Sequence, residues 1–185
     1  MPYSFRSEQW LPYPVETVFA FFADPENLPA LLPPWQHARL EGVTLVAPPR
    51  ANSKALSNAA GTGSRIKLSL RSLPFFPVRI SWDAEIVQFE ANHSFCDRQL
   101  SGPFTFWQHN HRFLSLDRTG PGVTVLTDEI EYDLPLGPLG NIAHALFVRK
   151  QIEKTFAFRR EHVVKALAKT GPSQAEKPAH RIRAS

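Results

Sequence analysis

The C-terminal part of this chain carries the pattern that most narrows its fold. Ile142, Ala145, Val148, Ile152, Phe156, Val163 and Leu167 recur at helical spacing and fall on one stripe. Pro138 suits a first helical turn, and Gly171-Pro172 stops the pattern, so one helix is predicted over roughly 138–169. Some 30 residues at 1.5 Å rise make a rod of about 45 Å. A lone helix with a single apolar stripe needs a sheet to bury it.

The sequence ahead of it supplies strands. Residues 3–11 alternate and are ended by Pro12 and Pro14. Residues 15–34 read as two short helices: Val15, Val18, Phe19 and Phe22 have helical spacing, Asp24-Pro25 opens the second helix, and Pro33-Pro34 stops it. Further strands are predicted at 36–46, 64–72, 77–89, 94–101, 104–116 and 122–134. In 77–89, Val78, Ile80, Trp82, Ala84 and Ile86 share one face; Arg79, Ser81, Asp83 and Glu85 share the other. That is a sheet buried on one side only. The small, polar stretch 47–62 reads as a mobile loop. The fold class is therefore α+β: a curved antiparallel sheet wrapped around a long C-terminal helix, with two short helices after the first strand. Residues 1–170 form one domain, and 171–185 a basic tail with Lys177, Arg181 and Arg183.

Composition removes several functions. Cys96 is the only cysteine among 185 residues, so no internal disulfide and no cysteine-based zinc site can form. The net charge is +4, concentrated in the tail, and no basic stripe is interleaved with aromatics, which argues against nucleic acid. No apolar run approaches 18 residues and no basic-then-apolar leader opens the chain, so neither membrane insertion nor secretion is expected, and a cytoplasmic location follows by elimination. Gly61-Thr62-Gly63 lacks the length and the lysine of a phosphate loop. Arg149, Lys150, Lys154, Arg159 and Arg160 read as the solvated face of the last helix.

Three segments carry a family resemblance: LPYPVETVFAFFADPENLPALLPP near the start, FCDRQLSGPFTFWQHNHRF at 95–113, and LTDEIEYDLPLGPLG at 126–140. Together they resemble the START-like (SRPBCC) superfamily, and its bacterial branch of ligand-binding or polyketide cyclase/dehydrase-like proteins. The resemblance implies the helix-grip fold and an internal cavity. It does not choose among carrier, receptor and enzyme, since one fold hosts all three.

Strand alternation proposes the site. Trp107, His109, His111 and Phe113 share one face of 104–116; Leu126, Asp128, Ile130, Tyr132 and Leu134 share the apolar face of 122–134. Two histidines and a carboxylate are thus expected on the inward side of neighbouring strands, where buried polar groups need partners. A hydrogen-bonded network tying the strands together ranks first, ligand contact second, and acid–base catalysis by His109, His111 and Asp128 third. Asp97 shares a face with Phe95 and Gln99, but that strand's polarity leaves the inward face undecided. Trp82, Trp107, Tyr132 and Phe156 complete the candidate ligand-binding set with Asp97, His109, His111 and Asp128. The two tryptophans are read as wall or core, and Tyr132 first as a core tyrosine. A metal on His109, His111 and Asp128 is considered, because the superfamily includes iron-binding aromatic-ring hydroxylases; it is set aside because no Cys/His spacing for their iron–sulfur module is present. No metal and no cofactor are expected. The leading functional expectation is a binder of a small hydrophobic molecule, lipid, polyketide-like or aromatic. The alternatives are a cyclase/dehydratase and a protein-partner module using the basic helix face or the 47–62 loop.

Overall fold

The computed structural model describes residues 2–49, 56–71, 78–116, 122–135 and 147–170. Seven strands form one antiparallel sheet: β1 (Tyr3–Leu11), β2 (Arg39–Thr44), β3 (Arg65–Arg71), β4 (Arg79–Glu90), β5 (Ser94–Ser101), β6 (Phe106–Ser115) and β7 (Thr124–Asp133). Their order across the sheet is β1-β7-β6-β5-β4-β3-β2. The first strand therefore lies beside the last, and the sheet meanders back from there. Two α-helices, α1 (Val15–Ala23) and the long C-terminal α2 (Arg149–Thr170), are joined among the described residues by two short 3₁₀ helices. The predicted curved sheet gripping a helix is what the chain forms.

Register shifts between Leu40 and Gly42, between Asp83 and Ala84, and between Ile86 and Gln88 interrupt the ladders. Such bulges bend and twist a sheet locally, and two of the three lie in the pairing of β4 with β5.

The 25–36 region differs from expectation in kind. Asp24 Oδ1 accepts the Glu26 N–H at 3.0 Å, as expected of a cap, but Pro25–Leu31 is a 3₁₀ helix with Pro29 inside it. A proline has no N–H for the helical ladder, so a regular α-helix is not favoured there. Pro33-Pro34 does not lead straight into a strand either: Pro34–Gln36 makes another 3₁₀ turn, His37 takes φ 43°, and β2 begins at Arg39.

The 47–62 stretch is also corrected where it is described. Leu56, Ala59 and Ala60 are buried, and the Ala60 N–H donates to the Ala23 carbonyl at 2.9 Å. Gly61 packs so closely on Pro48 and Val46 that a Cβ there would meet their backbone at 2.8 Å. Small residues here allow packing rather than mobility; residues 50–55 lie outside the described set. Val78, placed by alternation on the inward face, is instead 54% exposed, because it precedes the first paired residue of β4.

Helix α2 follows the predicted stripe over Ile152, Phe156, Val163 and Leu167, all buried. Its 22 residues span about 33 Å. Pro138, Ile142 and Ala145, and the tail 171–185, lie outside the described residues. The core divides in two. Phe19, Phe113, Leu126, Val163 and Leu167 belong to one apolar cluster; Ile130, Tyr132, Ile152 and Phe156 form another. On β6, β7 and α2 the residues between those clusters are polar.

Candidate functional site

That polar layer consists of His109 and His111 on β6, Asp128 on β7 and Arg159 on α2, each no more than 6% exposed. The register explains the meeting. His111 lies directly opposite Asp128, and Asp97 on β5 directly opposite His109. The i, i+2 spacing of the histidines points both rings to the concave side, where their centroids lie 3.8 Å apart. Phe95 stacks on His111 at 4.3 Å and fixes its ring.

Asp128 Oδ1 is the hub. His109 Nε2 lies 3.0 Å from it and Arg159 Nη1 donates to it at 3.3 Å. His111 Nδ1 approaches to 2.8 Å, but off the direction a ring N–H needs, so this is an electrostatic contact rather than a made hydrogen bond. On the other edge of the rings, Asp97 Oδ2 stands 3.6 Å from His109 Nδ1 and 3.6 Å from His111 Nε2.

The electrostatics follow from burial and these neighbours. Burial opposes a charged Asp128, but the Arg159 guanidinium, with His109 and His111, outweighs it and holds the carboxyl well below its ordinary value. His109 goes down, first through burial and then through the adjacent His111. Burial acts downward on His111 too, yet the Asp128 and Asp97 carboxylates reverse the sign and raise it. Adjacent rings pushed in opposite directions form one coupled acid–base unit.

The layer forms part of the wall of a cavity of about 500 Å³ between the sheet and α2. Trp82, Asp97, Trp107, His109, His111 and Phe156, all candidates from the sequence, line it. Asp97 thus faces inward, which alternation leaves open. Asp128 and Tyr132 lie one layer behind the wall. The His109, His111 and Arg159 side chains cover Asp128, and Tyr132, 1% exposed, is packed by Phe104 and Trp107 at centroid distances of 5.6 and 5.9 Å. Burial raises the Tyr132 hydroxyl to about 12, so it stays protonated.

Two lining residues escape the sequence reading. Periodicity puts Arg159 on the solvated face of the last helix, and the structure corrects this: its guanidinium is buried, with Cζ 4.7 Å from the Phe156 ring centroid. A signal exists, since Arg159 lies three residues after Phe156 and four before Val163, on the apolar stripe itself. Gln36 gives no signal. It is 7% exposed, its Nε2 donates to Thr155 Oγ1 at 2.9 Å, and its Oε1 has no hydrogen-bond partner among the described residues.

An antiparallel sheet gripping a helix over an apolar cavity defines the helix-grip class. Within that class, residues 11–157 match the family described as polyketide cyclase / dehydrase and lipid transport, and the chain belongs to that family. Among solved structures, a Thermus thermophilus protein superposes with a TM-score of 0.61 at 17% identity, over 91% of this chain and 99% of that one. A START superfamily protein from Mycobacterium smegmatis gives 0.58 at 14% identity, over 90% and 97% of the two chains. The Zhui aromatase/cyclase from Streptomyces sp. R1128 gives 0.58 at 13%, over 90% and 92%. At these identities the likeness is one of fold. No curated protein matches the chain. Among the described residues, no helix is long and apolar enough to cross a membrane.

Proposed function

We propose that the protein binds a small, mainly apolar molecule carrying an oxygen function in the cavity between the sheet and α2. The observation that carries this reading is the lining: Ile66, Leu68, Ile80 and Ile86 on the sheet side and Ile152 on α2 surround about 500 Å³, with Asp97, His109 and His111 at the wall. The volume falls in the range of small-molecule sites, and an apolar pocket with a few convergent polar groups is how such sites combine affinity with orientation. The Gln36 carbonyl oxygen offers a further acceptor for a ligand hydroxyl. Native mass spectrometry and solvent extraction of the gently purified protein test the reading, together with displacement of an environment-sensitive apolar dye. Ala84 lines the cavity, and Ala84→Phe fills part of it. Dye binding by the wild type that weakens at least about tenfold in Ala84→Phe is the expected result. Equal dye binding by both proteins, with nothing apolar co-purifying, refutes it.

A second reading, a cyclase or dehydratase, is favoured by one observation: His109 and His111 reach the cavity wall while Asp128 supports both rings from behind. In a dehydration, one ring would take the proton from a carbon beside a carbonyl. The other would protonate the departing hydroxyl, which leaves as water. Turnover of a β-hydroxy-ketone polyketide mimic, lost in His109→Gln and His111→Gln, would support it; binding without turnover leaves the carrier reading alone.

A further inference from the structure

The geometry points to a site for a divalent transition-metal ion, held by Asp97, His109 and His111 at the cavity wall. The sequence pairs the histidines with Asp128, but the fold puts Asp128 on the wrong edge of the rings. Its Oδ1 engages His109 Nε2 and faces His111 Nδ1. The opposite nitrogens, His109 Nδ1 and His111 Nε2, both turn toward Asp97 Oδ2, at 3.6 Å each. One donor atom from each of the three residues lies within 4.8 Å of the others.

Those distances are too long for hydrogen bonds and suited to an ion. Ligand bonds of about 2.0–2.2 Å in tetrahedral array place ligand atoms roughly 3.4 Å apart, so the N···O separations of 3.6 Å already fit, and the two nitrogens lie within 4.8 Å of each other. With His109 donating from Nε2 to Asp128, its Nδ1 presents a lone pair to the Asp97 carboxylate, acceptor against acceptor. A cation between them satisfies both. With both rings neutral, as ligation requires, two carboxylates face the single Arg159 guanidinium, and a metal cation offsets the remaining negative charge.

The surroundings supply what a metal-binding histidine needs. A carboxylate on its second nitrogen fixes the tautomer and orients the ring; Asp128 does this for His109 through the bond to Nε2, stands 2.8 Å from His111 Nδ1 as an electrostatic neighbour, and takes Arg159 on the same oxygen. Three protein ligands leave a position open, and since all three line the cavity, that position faces its interior. The ligand class it takes is an apolar molecule presenting a carbonyl, carboxylate or hydroxyl oxygen. The metal site itself stands whether or not such a molecule binds.

Zinc(II) alone is the first probe. Full-length protein, stripped with EDTA, is titrated with Zn(II) in competition with a chromophoric chelator. Separately, Cu(II) is added while tryptophan emission is followed, since the Trp107 and His109 ring centroids are 6.4 Å apart. The expected result is a single Zn(II) per chain, strong Cu(II) quenching, and at least about tenfold weaker binding in Asp97→Asn and His109→Gln. His162→Gln, on α2 outside the cavity lining and stacked on Phe158, should bind as wild type does. Asp97 Oδ2 stands 3.6 Å from each ring and its side chain is 18% exposed, so Asp97→Asn is expected to fold and decides the matter even where His109→Gln does not. Failure of the wild type to compete with the chelator overturns the proposal. So does wild-type affinity in Asp97→Asn, which would place the metal elsewhere.

Discussion

Replacing Asp128 by asparagine keeps the shape of the polar layer and removes its central charge. Two contacts to Oδ1, from His109 at 3.0 Å and Arg159 at 3.3 Å, lose the acceptor's negative charge. A hydrogen bond to a charged group contributes about 1.5–3 kcal/mol against roughly 1 for a neutral pair, so the two together lose about 1–4 kcal/mol at most. Arg159 also loses its buried counter-charge, and removing one partner of a buried pair costs about 3–5 kcal/mol in other proteins. A loss of about 2–4 kcal/mol is therefore expected, a fall in Tm of roughly 5–15 °C for a chain of this size. The assay is thermal unfolding of both proteins in EDTA, across pH. The Asp128 pKa is depressed in the folded state, so its stabilisation is present above the ordinary carboxyl value and is lost as pH falls through the folded one. The gap between the two proteins should accordingly be wide at pH 7 and close on acidification. An unchanged or higher Tm for Asp128→Asn at pH 7 would refute the structural role and leave the layer kept for a ligand at the expense of stability.

Further outcomes follow from neighbouring residues. Arg159→Leu should destabilise by about 3–5 kcal/mol because Asp128 is left buried and charged, whereas Arg160→Leu, exposed on the same helix, should leave Tm within about a degree or two; equal effects would refute the burial of Arg159. His111 has a raised pKa, so its charged form stabilises the fold below the ordinary histidine value and that contribution disappears as pH rises through the folded one. The stability lost in His111→Gln should thus be larger at pH 5.5 than at pH 9 in EDTA, and a pH-independent difference would contradict the assignment. Burial, with Asp97 beside it, pushes the Cys96 thiol to about 11, so the folded protein should resist thiol reagents at pH 8 and react rapidly once denatured.

The sequence alone determined the architecture because its signals are local and periodic. Alternation along β6 and β7 placed His109, His111 and Asp128 on the concave side, and each lies there; the stripe from Ile152 to Leu167 required a sheet to cover it. Those patterns depend only on the repeat of a strand or helix. The tertiary structure alone decided which edges of the side chains meet. Asp97 became a wall residue through its register with His109, a pairing set by bulges and turns that no face pattern of β5 records. Arg159 was drawn inward because Asp128, 31 residues away in sequence, waits across the core to receive it; a charged residue on an apolar stripe reads as a break until its partner is placed. Asp128 was legible as buried but not as the residue behind both rings. Which nitrogen of each imidazole faces Asp97 and which faces Asp128 depends on how two strands and a helix pack, and one-dimensional periodicity carries no information about that contact.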